Sequence, residues 1–300
     1  MFRRLVADPK TRADEHHHLH SGELRALRYQ RPPEASAAPK RTRLPRRSVY
    51  DAQQREVLPG RLLRTEKGKP SRDPAANQVY ENTGIALAFL REQWGRNSVD
   101  GRGLDIVSAI HYGESFPNAM WNGQQMIYGD GDEEVGGFTD ALDIIAHELC
   151  HGLTQYLVPG GLGVVRVPAS EREFKQQRYA LQGEAGALNE SFSDVFGTLV
   201  KQWHLGEKVH EANWLIGENV LARRLGRAVR SLKSPGNRRV TWPQDDQMHS
   251  REQYFDGCEV HDASGIANRA FYLAATAIGG YAWEKAGRVW FTAYDSLKKN

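Results

Sequence analysis

An α+β chain of two unlike lobes is predicted by three observations. Strand-like alternation and Gly-bounded apolar runs stop near residue 129, helical periodicity dominates from Thr139 onward, and the first of those later helices carries two histidines one turn apart. With 300 residues, 26% charged and 40% hydrophobic, the chain has ordinary globular composition and can bury one large core or two lobes. The expected organisation is a basic leader and linker at 1–48, a β-rich lobe at 49–142 and a mainly helical lobe at 143–300, with a cleft between the lobes.

The leader is read first. Leu19, Leu24, Leu27 and Arg28 suggest a short helix, while His16, His17, His18 and His20 read as exposed histidines of a polar segment. Pro32, Pro33, Pro39 and Pro45 among Arg41, Arg43, Arg46 and Arg47 make 30–48 an extended, protease-accessible linker. Residues 1–48 hold 12 Lys/Arg against five Asp/Glu, and the rest of the chain holds 28 against 32, so a basic leader packing on an acidic body is expected. No aromatic interleaving accompanies the basic residues, so nucleic acid is not an expected partner.

Order resumes near Val49. Asp73 as N-cap, Pro74 at the first helical position and Gly95 at the end bound a helix whose apolar face holds Tyr80, Leu87, Leu90 and Trp94. Leu104, Ile106, Ile110 and Tyr112 alternate as in a strand, and Gln125 to Tyr128 reads as another. Leu142, Ile145, Ala146 and Leu149 define the next helix. Ala187 to His204 follows, with Leu188, Phe192, Val195, Phe196 and Leu199 facing inward, and a third helix is centred on 264–278.

Cys150 and Cys258 make no disulfide framework, and Cys150 reads as a small packing residue. The N-terminus lacks the apolar run of a signal peptide, and no stretch approaches a membrane span. The expectation is a cytoplasmic protein, or one secreted by a route without a conventional signal peptide, with no membrane partner.

The run His147-Glu148-Leu149-Cys150-His151 points to metal-assisted hydrolysis. On a helix, residues i and i+4 share a face, so both imidazoles reach one ion, and Glu148 lies about 100° round the helix as a base for activated water. A third ligand must come from another element. Glu190 and Asp194, one turn apart on the next helix, supply a ligand and a brace for a ligand histidine. Two neutral imidazoles and one carboxylate leave Zn²⁺ an open position. The loop from Asp256 to His261 offers a histidine for the developing oxyanion, with Asp256 placed to orient it.

Six segments together resemble the thermolysin family of zinc metallopeptidases. They are Asn118 to Gly123, Tyr128 to Asp132, His147 to His151, Gly186 to Gly197, Arg230 to Leu232 and Val260 to Gly265. The stretches Ser48 to Gln53 and Arg269 to Ala274 look most like the protealysin-like branch. The resemblance implies a two-lobed α+β fold with the zinc site in the cleft, endopeptidase activity, one Zn²⁺ per chain, peptide or protein substrates, and a removable propeptide as partner. It implies His147, His151 and Glu190 as ligands, Glu148 as base, Asp194 and Asn189 as supports, and His261 with Asp256 at the oxyanion. Asn118 and the Ala119 backbone would hold the substrate main chain, and Arg230 its primed-side carbonyl. Phe138, Ile144, Ile216 and Val229 would wall a pocket for bulky hydrophobic residues, and a cut at Ser48–Val49 would put Val in it.

Four departures from the family pattern stand out. His151 and Glu190 are 39 positions apart, and the excess lies in Leu157 to Arg178, close to the expected cleft. That shift puts Leu181 where the oxyanion tyrosine is expected and leaves Tyr179 as a nearby substitute. Asp143 and Glu218 remain of the calcium ligands, but Lys201, Asn213 and Leu215 replace others, so a Ca²⁺ site is depleted. Ala263 replaces an Asn, and the matching region stops soon after Trp290 to Tyr294, before further helices usual in the family. The alternative reading is a catalytically silent relative that binds peptides or proteins.

Overall fold

The computed structural model describes residues 20–28, 43–158, 160–167 and 178–297. Its first lobe is built on a five-stranded sheet of order β2-β1-β3-β5-β4. The strands are β1 (Arg47–Asp51), β2 (Arg61–Thr65), β3 (Ile106–Ile110), β4 (Ala119–Trp121) and β5 (Met126–Tyr128). β1 pairs antiparallel with β2 and parallel with β3; β3 pairs parallel with β5, and β5 antiparallel with β4. β4 is therefore an edge strand, and that edge faces the cleft.

Among the described residues, five α-helices and a short leader helix join this sheet. Residues 20–28 form α1. Helix α2 (Pro74–Trp94) starts and ends where the sequence places it: Asp73 accepts from the backbone N–H groups of Ala75 and Ala76, and Gly95 closes it in the left-handed conformation. The others are α3 (Leu142–Leu157), α4 (Gly183–Leu205), α5 (Val260–Ile278) and α6 (Ala286–Ser296). One continuous core runs from Val49 on β1 through α2, α3 and α4 to Tyr294 on α6. Gly197 lets α3 and α4 approach closely: a Cβ there would come within 2.4 Å of the Asp143 carbonyl oxygen. On α4, Leu188 is 48% exposed and points away from the core, unlike its four predicted companions.

Two expectations about the leader change. The linker was expected to run free to residue 48, but β1 begins at Arg47 and is paired on both sides. Ser48 lies opposite Thr65 of β2 and Val107 of β3, and Val49 opposite Arg64 and Ser108. Val49 is 1% exposed. Just upstream, Arg43 grips Asp105 with two bonds of 2.7 Å, and the Arg46 N–H donates to the same carboxylate. A peptide bond must lie extended in a protease cleft to be cut, so Ser48–Val49 is inaccessible in this fold. His20, moreover, is not an exposed leader histidine. Its Nε2 lies 2.7 Å from the Tyr112 hydroxyl, and the two rings stack. His16, His17, His18 and residues 30–42 lie outside the described residues.

Among the described residues, no helix is long and apolar enough to cross a membrane. The excess segment between Leu157 and Arg178 contributes β6 (Val164–Val167) and β7 (Arg178–Leu181), which pair as an antiparallel hairpin. Tyr179 lies opposite Arg166 in that ladder, and its side chain lies outside the described part.

Candidate metal centre and cleft

His147, Glu148 and His151 sit on α3 as the spacing requires, all buried. Glu190 answers from α4. The Nε2 atoms of His147 and His151 lie 3.2 Å apart. Glu190 Oε2 lies 3.4 Å from the first and Oε1 3.6 Å from the second. Ligands around Zn²⁺ at about 2.0–2.1 Å stand roughly 3.3–3.4 Å from one another, so the His147–His151 and His147–Glu190 separations are close to tetrahedral edges, with the second Glu190 oxygen on the His151 side. Glu190 Oε2 is moreover a buried oxygen with no hydrogen-bond partner. A cation fits where these atoms converge. Glu148 is also within reach, its Oε1 3.9 Å from His147 Nε2, and its ligand atom, with those of the two histidines, falls within a 4.8 Å span.

Each histidine is held through its other nitrogen. His147 Nδ1 lies 2.8 Å from Asp194 Oδ1, and His151 Nδ1 lies 3.2 Å from Asn189 Oδ1. Both supports are themselves fixed. Asp194 accepts from Arg230 through two guanidinium nitrogens and from Asn268 Nδ2 at 2.8 Å. Asn189 donates to the Leu162 carbonyl at 3.0 Å, so the base of the β6–β7 hairpin is tied to the His151 support. Burial opposes charge on His147, but Asp194 and Glu190 outweigh it and hold its pKa above the usual value. Burial and the nearby Arg28 instead drive His151 down to about 3, leaving a neutral imidazole of the kind a metal requires.

The cleft is filled by the leader. Arg28 is buried, and its Nη2 donates to Glu148 Oε2 at 2.9 Å. Its Nε donates to the Trp121 carbonyl on edge strand β4, while Trp121 N–H donates to the same Glu148 oxygen at 3.1 Å. Burial opposes the Glu148 charge, yet Arg28 and the two histidines hold its pKa down at about 2. Ser21 Oγ accepts from Asn118 Nδ2 at 3.1 Å, and Leu24 packs with Phe116, Met120 and Ile127. Gly123 (φ +98°) makes room, since a Cβ there would meet the Arg28 Cα at 2.8 Å. The leader thus engages Asn118 as a substrate was expected to. Ala119 N–H is taken by Asn118 Oδ1 at 2.9 Å, so the β4 groups that face the leader are those of Trp121.

Of the remaining expected residues, Ile144, Ile216, Val229 and Phe138 are all buried in the main core. Ile144 and Val229 meet beside Gly217, where a Cβ would contact both. His261 faces the point where the His147, His151 and Glu190 atoms converge, with its Nε2 3.4 Å from Glu190 Oε2. Asp256 does not orient it: Asp256 is exposed, and the carboxylate on His261 Nδ1 belongs to Glu259, at 2.9 and 3.0 Å. Glu259, Arg28 and Asn268 are site residues that sequence reasoning missed.

Where the sequence suggested a depleted Ca²⁺ site, the Lys201 ammonium stands beside Asp143 and Glu218. Its Nζ donates to Asp143 Oδ2 at 3.1 Å and to the Leu215 carbonyl at 3.3 Å, and lies 3.7 Å from Glu218. Asn213 Nδ2 and Arg227 Nε donate to the two Glu218 oxygens.

Comparison with known proteins bears on both lobes. Residues 34–155 match the family model described as the thermolysin metallopeptidase catalytic domain, and residues 178–300 match the thermolysin metallopeptidase alpha-helical domain. An extracellular metalloprotease of Pectobacterium carotovorum subsp. carotovorum is 44% identical over 263 residues, covering 84% of this chain and 68% of that protein. Protease PrtS of Photorhabdus sp. (strain Az29) is 39% identical over 255 residues, covering 82% of this chain and 64% of that protein. The chain thus spans about two thirds of the length of these relatives. Among solved structures, the precursor of protealysin, a metalloproteinase from Serratia proteamaculans, matches with a TM-score of 0.78 at 37% identity, over 98% of this chain and 84% of that one. One family therefore accounts for the sheet lobe, the helical lobe and the ligand helices between them, and the chain belongs to it: the zinc metallopeptidases of the thermolysin family, in their protealysin-like branch.

Proposed function

We propose that the chain is the precursor of a zinc-dependent endopeptidase whose leader occupies its own cleft. The observation that carries this reading is the buried Glu190 carboxylate set against both imidazoles, its Oε2, which lacks a hydrogen-bond partner, 3.4 Å from His147 Nε2 and its Oε1 3.6 Å from His151 Nε2. His147, His151 and Glu190 would hold the zinc, which supplies Lewis-acid polarisation of a carbonyl and acidifies water. Asp194 and Asn189 keep the Nδ1 side of each ring engaged, so each Nε2 lone pair faces inward. Glu148 Oε2, once free of Arg28, takes the proton from the attacking water and passes it to the leaving amine. His261 donates from Nε2 to the oxyanion, and Arg230, anchored on Asp194, fixes the carbonyl beyond the scissile bond. Ile144, Ile216, Val229 and Phe138 would favour a bulky hydrophobic residue there.

Two measurements on one preparation test this. Metal analysis should find about one zinc per chain, and 1,10-phenanthroline should abolish hydrolysis of casein, with zinc restoring it. Undiminished hydrolysis by zinc-free protein sinks the reading and leaves the silent, peptide-binding relative. N-terminal sequencing after incubation should find a new terminus upstream of Arg43, because residues 43–51 belong to the sheet lobe. A terminus at Val49 would contradict that.

No calcium is required in this reading, since the Lys201 ammonium fills the cation's electrostatic role. Removing one partner of a partly buried pair leaves the other uncompensated. Lys201→Met is expected to cost about 2 kcal/mol, discounted for partial exposure, or roughly 4–8 °C in Tm. EGTA should leave the parent Tm unchanged. A parent Tm that falls in EGTA would show that calcium is bound.

A further inference from the structure

We infer that Glu259 is the positioning residue that aims His261 at the reacting carbonyl. The inference rests on His261 being the oxyanion donor and adds the group that holds it.

The geometry is a double grip by one carboxylate. Glu259 is the N-cap of α5, and its Oε2 accepts the His261 backbone N–H at 2.7 Å. The same carboxylate takes the ring Nδ1 at 2.9 and 3.0 Å. Backbone and ring of one residue are therefore fixed to a single group, which leaves the imidazole little torsional freedom. The His261 carbonyl is pinned from its other side by Gln247 Nε2 at 3.0 Å and Ser264 Oγ at 2.7 Å. With Nδ1 held on Glu259, Nε2 points towards Glu190 Oε2 at 3.4 Å, and in its imidazolium form the ring carries a donor at each nitrogen. Neighbours on both sides, Cys258 and Val260, are buried and hold the carboxylate's backbone in place. Asp256 lies three residues upstream on an exposed turn and makes no such contact among the described residues.

A plain helix cap predicts less than this. A cap needs only an oxygen for the first-turn N–H, whereas a positioning group must also reach the ring. Glu259→Ser separates the two, because a serine hydroxyl caps a helix well but is too short to reach Nδ1. Each variant is made as the full chain, cut in trans by tagged parent enzyme that is then withdrawn, and assayed on a quenched fluorescent peptide per bound zinc.

Glu259→Ser should lower kcat at least about tenfold with KM changed less than about threefold, and weaken a phosphonamidate transition-state analogue in proportion to kcat/KM. His261→Ala should lower kcat by about 10²-fold or more. The double variant Glu259→Ser/His261→Ala should be no slower than His261→Ala alone, since Glu259 acts through that ring. Restoring the carboxylate as Glu259→Asp should recover part of kcat. Losses that multiply in the double variant overturn the inference, as does an Asp256→Ala loss as large as that of Glu259→Ser. If His261→Ala leaves kcat intact, the donor reading itself fails; if only Glu259→Ser does, the positioning role fails alone.

Discussion

Glu148→Gln is expected to lower peptide hydrolysis by at least about 10³-fold while zinc stays bound. The magnitude is that of a general base acting in the transition state, about 10²–10⁴-fold. Glutamine keeps the volume of the buried side chain and an oxygen for the Trp121 N–H, which now sits 3.1 Å from the carboxylate. It removes the capacity to accept a proton. The ligand face should survive, because Glu148 lies 3.9 Å from His147 whereas Glu190 lies closer and spans both rings. Turnover and zinc content are measured together. Equal turnover in parent and variant would remove Glu148 from the chemistry. Loss of zinc with loss of turnover would instead make it a ligand.

The second large effect is on the precursor. Arg28→Ala should speed the appearance of activity from the full chain by at least about tenfold. In the folded precursor Arg28 and Glu148 form an ion pair that is 4% and 2% exposed. Removing one member of such a pair costs about 3–5 kcal/mol, because the survivor is left charged and desolvated. Glu148 escapes that penalty only if α1 leaves and water enters the cleft, so the variant shifts the leader towards release. Each 1.4 kcal/mol is tenfold, and part of the shift is lost to relaxation, hence the lower bound of about ten. Arg28→Lys, which keeps the charge but loses the second contact to the Trp121 carbonyl, should fall between. The measurement is the time course of peptide hydrolysis after metal addition to purified full-length chain. An unchanged lag for Arg28→Ala would mean that this ion pair does not hold the leader in place.

The parts of the site legible in the sequence were those fixed by local periodicity. Two histidines at i and i+4, and a Glu/Asp pair at i and i+4, each declare a helical face without knowledge of the fold. The cap residues of α2 are equally local. What stayed hidden was non-local. Arg28 meets Glu148 across 120 residues of chain, and nothing in the spacing of a basic leader says which arginine enters the cleft. The resemblance names Asp256 as the orienting group; the structure places the Glu259 carboxylate, two residues before the histidine, on Nδ1. Leu188 failed for a geometric reason: α4 turns one side to solvent near its N-terminus, and an apolar residue there is tolerated exposed. Val49 and Tyr50 are strand-forming residues that suit β1, but its start at Arg47, before the expected cut, is set by pairing with β2 and β3.

The attachment of α1 to β1 has a consequence for how inhibition would end. While the chain is continuous, the leader meets its cleft at an effective concentration on the order of millimolar, whatever the protein concentration outside. One broken bond upstream of Arg43 turns that encounter into a bimolecular one, and a short helix released at micromolar levels is diluted about a thousandfold relative to its tethered state. Switching on would then require no rearrangement of the lobes, only dilution, and a crowded or confined compartment would keep the cut enzyme quiet for longer than an open one.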